Sequence, residues 1–114
     1  MMRLSCLTLA MTALLSGPGQ AQTTLSLPLD GATLDDITYF CDGGALVQVS
    51  YLDAGPNSLA LLPIDGEQRI FVNVIAASGV RYVSGEYEWW AKGRNASLTN
   101  AMDDAATRSC VQTD

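Results

Sequence analysis

Val80-Arg81-Tyr82-Val83-Ser84-Gly85-Glu86-Tyr87-Glu88-Trp89-Trp90-Ala91 is the stretch on which the fold turns. β-Branched and aromatic residues fill both halves, and Ser84-Gly85 between them is a turn dipeptide, so the segment predicts a β-hairpin. Gly79 and Gly93 supply backbone freedom just beyond the two runs. Ser78 and Lys92 each stand seven residues from Gly85. Residues equidistant from a hairpin turn lie opposite each other, so a hydroxyl and an ammonium are expected side by side at the open end.

Outward from this hairpin the pattern repeats. Strands are expected over residues 37–41, 45–52, 58–62, 68–76, 80–84, 86–91, 96–99 and 108–112. Turn signals such as Asp42-Gly43-Gly44, Asp53-Ala54-Gly55-Pro56-Asn57 and Asp65-Gly66 part them. Alternation is clearest in the second strand, where Val47, Val49 and Tyr51 share one face and Gln48 and Ser50 the other. Residues 100–107 are the one stretch read as a possible helical turn. Short strands at this spacing define an all-β barrel or sandwich, and periodicity does not choose between them.

Residues 1–21 read as a secretory signal: Arg3 is a basic start, Leu4 to Leu15 is largely apolar, and Gly19-Gln20-Ala21 offers small residues for cleavage. Cys6 lies at the start of the apolar stretch, whereas a lipid-attachment cysteine follows it, so a soluble periplasmic protein is expected. Residues 22–36 form a polar, partly extended lead-in, and residues 37–114 a single small domain without repeats or linkers. Once the signal is removed, Cys41 and Cys110 are the remaining cysteines. In an oxidising compartment two such residues are expected to pair, tying the first strand to the last. Closing a loop of about 70 residues is worth on the order of 4 kcal/mol by loop entropy.

Twelve acidic residues face six basic ones, and losing Arg3 brings the net charge to about −7. Such a surface repels nucleic acid; it is either plain solvated surface or an attractor for a cationic partner. No histidine occurs in the chain, which removes the usual general base, the usual metal ligand and every Ser-His-acid triad. A Ser78–Lys92 dyad would need a desolvated lysine, and a lysine followed by glycine at a strand end reads as solvated. Asp35-Asp36 and Asp103-Asp104 lack the alternating oxygen ligands of a calcium loop and read as solvated loop charges, with helix capping open to the second pair. No metal and no cofactor are therefore expected. Trp89 and Trp90, being consecutive on a strand, should face opposite sides, one in the core and one outside beside Lys92. Tyr82 reads as a scaffold residue pinning the Ser78 loop, with direct contact to a partner as the alternative. Arg81 could pair with Glu88 in one register or stack on Trp89 in the neighbouring one.

Ser78-Gly79-Val80-Arg81-Tyr82 followed by Trp90-Ala91-Lys92-Gly93 resembles the pattern of the MliC/PliC family, bacterial membrane-bound or periplasmic inhibitors of c-type lysozyme. Tyr39-Phe40-Cys41-Asp42-Gly43-Gly44, Val47-Gln48-Val49-Ser50-Tyr51 and Cys110 extend the likeness from Tyr39 to Cys110. One departure is Arg94-Asn95, where the family often carries acidic residues. The resemblance implies an eight-stranded antiparallel barrel that is not an enzyme. It also implies a partner, c-type lysozyme, which is typically a basic protein. Ser78, Gly79, Tyr82, Lys92 and Gly93 would form the lysozyme-binding site, with Ser78 and Lys92 meeting the enzyme's two catalytic carboxylates. The alternative reading is a periplasmic β-barrel that binds a small ligand, which would need an apolar cavity.

Overall fold

The structure is a computed structural model and describes residues 23–113. The signal-peptide reading, Cys6 included, lies outside the described residues. Eight antiparallel strands follow one another around a closed barrel: β1 (Thr33–Cys41), β2 (Leu46–Ala54), β3 (Asn57–Ile64), β4 (Glu67–Val74), β5 (Val80–Ser84), β6 (Tyr87–Lys92), β7 (Asn95–Asn100) and β8 (Asp103–Gln112). Each strand pairs with its sequence neighbours, and β1 pairs with β8 to close the ring. Closure gives the first strand a partner in the last over Tyr39–Cys41 and Cys110–Gln112.

Two stretches read from sequence as something else are strands. β1 begins at Thr33, four residues before the expected domain boundary, and carries Asp35 and Asp36 within it. Asp36 accepts a hydrogen bond from Ser50 Oγ at 2.6 Å on the neighbouring strand, which gives this acidic residue a cross-strand partner. The expected helical turn near residues 100–107 is instead a tight β-turn entering β8. Asn100 makes it, its side-chain oxygen accepting from Met102 N at 2.9 Å while Ala101 N donates to the Glu86 carbonyl at 2.7 Å.

The β1–β8 seam has only three paired positions, Tyr39↔Gln112, Phe40↔Val111 and Cys41↔Cys110. It is reinforced covalently, because the directly opposed Cys41 and Cys110 form the disulfide expected from sequence. Asp42 N donates to the Ser109 carbonyl at 2.9 Å, Ser109 N donates back to the Asp42 carboxylate at 3.0 Å, and Thr113 N donates to Thr38 O at 2.9 Å.

Alternating residues fill the barrel axis. Trp89, Tyr39, Phe71, Leu62 and Val49 are each at most 1% exposed. Val47, Val49 and Tyr51 do share the inner face. A polar chain threads this core: Trp89 Nε1 donates to Tyr51 OH at 2.8 Å, and Tyr51 and Tyr39 share a hydroxyl–hydroxyl bond of 2.8 Å. The Tyr39 and Trp89 rings meet edge to face at 5.1 Å, and the Tyr51 and Tyr82 rings lie 5.7 Å apart. Burial and the bond to Tyr39 push the Tyr51 phenol far above its ordinary range. An interior filled by these side chains is what eight short strands allow.

Candidate functional site

The hairpin of β5 and β6 is present, with its turn one residue later than expected. β5 ends at Ser84, β6 starts at Tyr87, and Ser84↔Tyr87 closes a two-residue turn of Gly85 and Glu86. Gly85 takes the first turn position, where φ is +56°. The register then runs Tyr82↔Trp89, Arg81↔Trp90 and Val80↔Ala91. Continued by one step, it sets Gly79, not Ser78, across from Lys92.

That displacement explains the glycine. A Cβ at position 79 would lie 2.5 Å from Lys92 Cγ, 2.6 Å from the Ala91 carbonyl oxygen and 2.8 Å from Trp90 Nε1. The backbone there has φ +66°, a left-handed conformation that suits glycine. Gly93, at φ +54° in the β6–β7 turn, would meet nothing with an added Cβ. Its requirement is conformational alone.

Faces follow from the register. Trp89 and Tyr82, 1% and 4% exposed, point into the core; Trp90 and Lys92 lie on the outer face. Tyr82 thus anchors the hairpin from inside, and burial raises its phenol pKa. Outside, Trp90 organises its neighbours: its indole N–H donates to the Ser78 carbonyl at 2.9 Å, and Lys92 Nζ stands 4.1 Å from its ring centroid. The Arg81 guanidinium lies over the same ring at 5.7 Å and pairs with Glu88. Sequence left open whether Arg81 meets Glu88 or Trp89; it meets Glu88, and the ring beneath it is Trp90.

Ser78 and Lys92 are both exposed and reach the same end of the hairpin, linked through Trp90. Lys92 is the sole lysine of the chain. Among the described residues Arg69 pairs with Glu86 and Arg81 with Glu88. Glu88, the carboxylate nearest along the strand, is taken by Arg81, and Lys92 makes no ion pair of 4.0 Å or less among the described residues. An exposed lysine also lacks the desolvation that a Ser–Lys nucleophile needs. The Arg94 guanidinium, where the family pattern departs, donates to the Gln112 carbonyl at 3.0 Å. What sequence reasoning missed is the indole bond to Ser78 O; twelve residues separate the two, and only the pairing register brings them together.

A small closed barrel presenting a cation and a hydroxyl on one loop edge has a form suited to binding a protein. The comparisons with known proteins agree. The family model described as membrane-bound lysozyme-inhibitor of c-type lysozyme matches residues 39–107, and the chain belongs to that family, whose members are named as inhibitors and not as enzymes. A relative from Cupriavidus necator, a membrane-bound lysozyme inhibitor of C-type lysozyme, is 36% identical over 103 residues, covering 87% of this chain and 82% of its own length. One of the same name from Pseudomonas aeruginosa is 47% identical over 77 residues, 65% of this chain and 60% of its own. A crystal structure of Pseudomonas aeruginosa MliC in complex with hen egg white lysozyme superposes with a TM-score of 0.71 at 38% identity, covering 82% of this chain and 99% of that one.

Proposed function

We propose that this protein inhibits c-type lysozyme by seating the Ser78 loop and Lys92 in the enzyme's active-site cleft. The observation that carries the reading is the outer-face cluster in which an exposed ammonium, resting on the Trp90 ring, and an exposed hydroxyl share one edge. Lysozyme works with two carboxylates, one protonated as the acid and one ionised. A plug for such a cleft needs a cation for the ionised group and a hydroxyl that can donate to or accept from the other; Lys92 and Ser78 supply them. Gly79 keeps the loop thin, Gly93 turns the chain away behind Lys92, and Tyr82 holds the hairpin from the core. Membership in an inhibitor family and a structural neighbour solved with hen egg white lysozyme support the assignment.

The site of action is the periplasm, reached through a signal over residues 1–21, where the inhibitor guards the producer's peptidoglycan. Relatives named as membrane-bound fit an exported protein. No helix among the described residues is long and apolar enough to cross a membrane.

Mixing the mature protein with hen egg white lysozyme tests the function. Co-elution on size exclusion together with loss of bacterial cell lysis is expected. Separate elution with full lytic activity would refute it.

A further inference from the structure

We infer that Trp90 is the positioning residue of the inhibitory edge, one side chain that fixes the Ser78 loop with its N–H and the Lys92 ammonium with its ring. The inference rests on the functional reading above and adds a residue to it. The segment between β4 and β5, residues 75–79, has no strand partner. Its tie to the hairpin's outer face is the 2.9 Å bond from Trp90 Nε1 to Ser78 O. Lysine is a long, flexible side chain that loses much freedom when held in one pose. Here its Nζ already rests 4.1 Å above the indole centroid, within cation–π range, while remaining exposed to a partner.

Two further features keep the ring where it is. The Arg81 guanidinium, held by Glu88, covers part of it. Gly79, without a side chain, lets the indole nitrogen and the lysine stem close over the loop. Loop, ring and lysine therefore form one packed layer before any partner arrives. A binder ordered in advance loses less freedom on association, and the advantage appears mainly as slower dissociation.

Trp90→Phe and Trp90→Leu in the full chain separate the two attachments, with hen egg white lysozyme as the probe. Phenylalanine keeps a ring under Lys92 and loses the N–H; leucine loses both. In the free protein, the ε-methylene protons of the sole lysine should be shifted upfield by the ring, retain part of that shift in the Phe variant, and return to ordinary values in the Leu variant. Amide exchange at Ser78 and Gly79 should quicken in both. Dissociation from lysozyme should be about tenfold faster for Trp90→Leu, with Trp90→Phe between it and wild type. In a Lys92→Ala background the Trp90→Leu effect should shrink, because the lysine it positions is gone. A Trp90→Leu variant that keeps its β-sheet circular dichroism and dissociates at the wild-type rate overturns the inference. So does an effect fully additive with Lys92→Ala and Ser78→Ala, which would make Trp90 a contact in its own right. Wild-type protein that fails to bind lysozyme is a separate outcome: the functional reading falls, and the role of Trp90 in it falls too.

Discussion

At position 79 two demands meet, a left-handed backbone and a space already filled by Lys92, Ala91 and Trp90. The Ala91 carbonyl belongs to a paired strand and cannot yield, so Gly79→Ala should push the loop off the hairpin. We expect it to cost about 1 to 3 kcal/mol of stability and to weaken inhibition. Gly93→Ala meets open space and should cost only the left-handed strain, about 1 to 2 kcal/mol. Thermal melts of the two variants beside inhibition assays check the contrast; equal inhibition by Gly79→Ala and wild type would contradict it. At this scale the sequence was largely readable. Equal spacing around Gly85 set Ser78 against Lys92, a register that the structure shifts by one so that Gly79 faces Lys92, while the split of Trp89 and Trp90 between faces followed from strand alternation. The turn was misplaced by one residue because Gly85 fits a turn as either of its central residues, and composition does not say which it takes.

Among the elements, the hydrogen-bonded chain of Trp89, Tyr51 and Tyr39 ties β6 to β2 and β1. Tyr51→Phe should destabilise the barrel by about 1 to 3 kcal/mol, since the buried indole N–H loses its acceptor. The same residue sets an alkaline limit. Its folded pKa lies far above the unfolded value of 10.0, so its contribution is intact below pH 10 and is lost progressively as pH rises beyond it. Melting temperature should therefore fall above about pH 10, and less steeply in Tyr51→Phe; parallel slopes in the two proteins would exclude Tyr51 as the cause. The disulfide guards the β1–β8 seam, and its reduction should remove up to about 4 kcal/mol, with amide protection lost first at Tyr39, Phe40 and Val111. Uniform loss of protection around the barrel would contradict this. All eight strands were legible, though β1 and β8 were read short. Asp35, Asp36 and Asp103 look like loop residues by propensity, and it is cross-strand pairing, Asp36 with Ser50 and Asn100 with Asp103, that makes them strand residues. Alternation was blurred in β3 and β4 because Leu59, Leu61, Ile70 and Val72 put apolar side chains on the outer face opposite one another.

For the whole molecule, barrel and sandwich could not be separated by periodicity, because the difference is a single long-range pairing between the first and last strands. The family resemblance supplied what local pattern could not. Net charge is the other global property: −6 for the whole chain, about −7 on the proposed loss of residues 1–21, and facing a basic enzyme in the proposed complex. Attraction spread over the surface is screened within about 8 Å at physiological salt, whereas contacts buried in a cleft are not. Added salt should thus slow association with hen egg white lysozyme far more than it hastens dissociation, and surface-plasmon kinetics across a salt series would show it. An association rate indifferent to salt would leave the acidity as a solubility feature. The most direct measurement is the inhibition constant against hen egg white lysozyme for wild type, Lys92→Ala and Ser78→Ala, each verified as folded. Lys92→Ala should weaken inhibition by about 2 to 5 kcal/mol and Ser78→Ala by about 1 to 3 kcal/mol. Wild-type inhibition constants in both variants would mean that the enzyme is held by some other surface of the barrel.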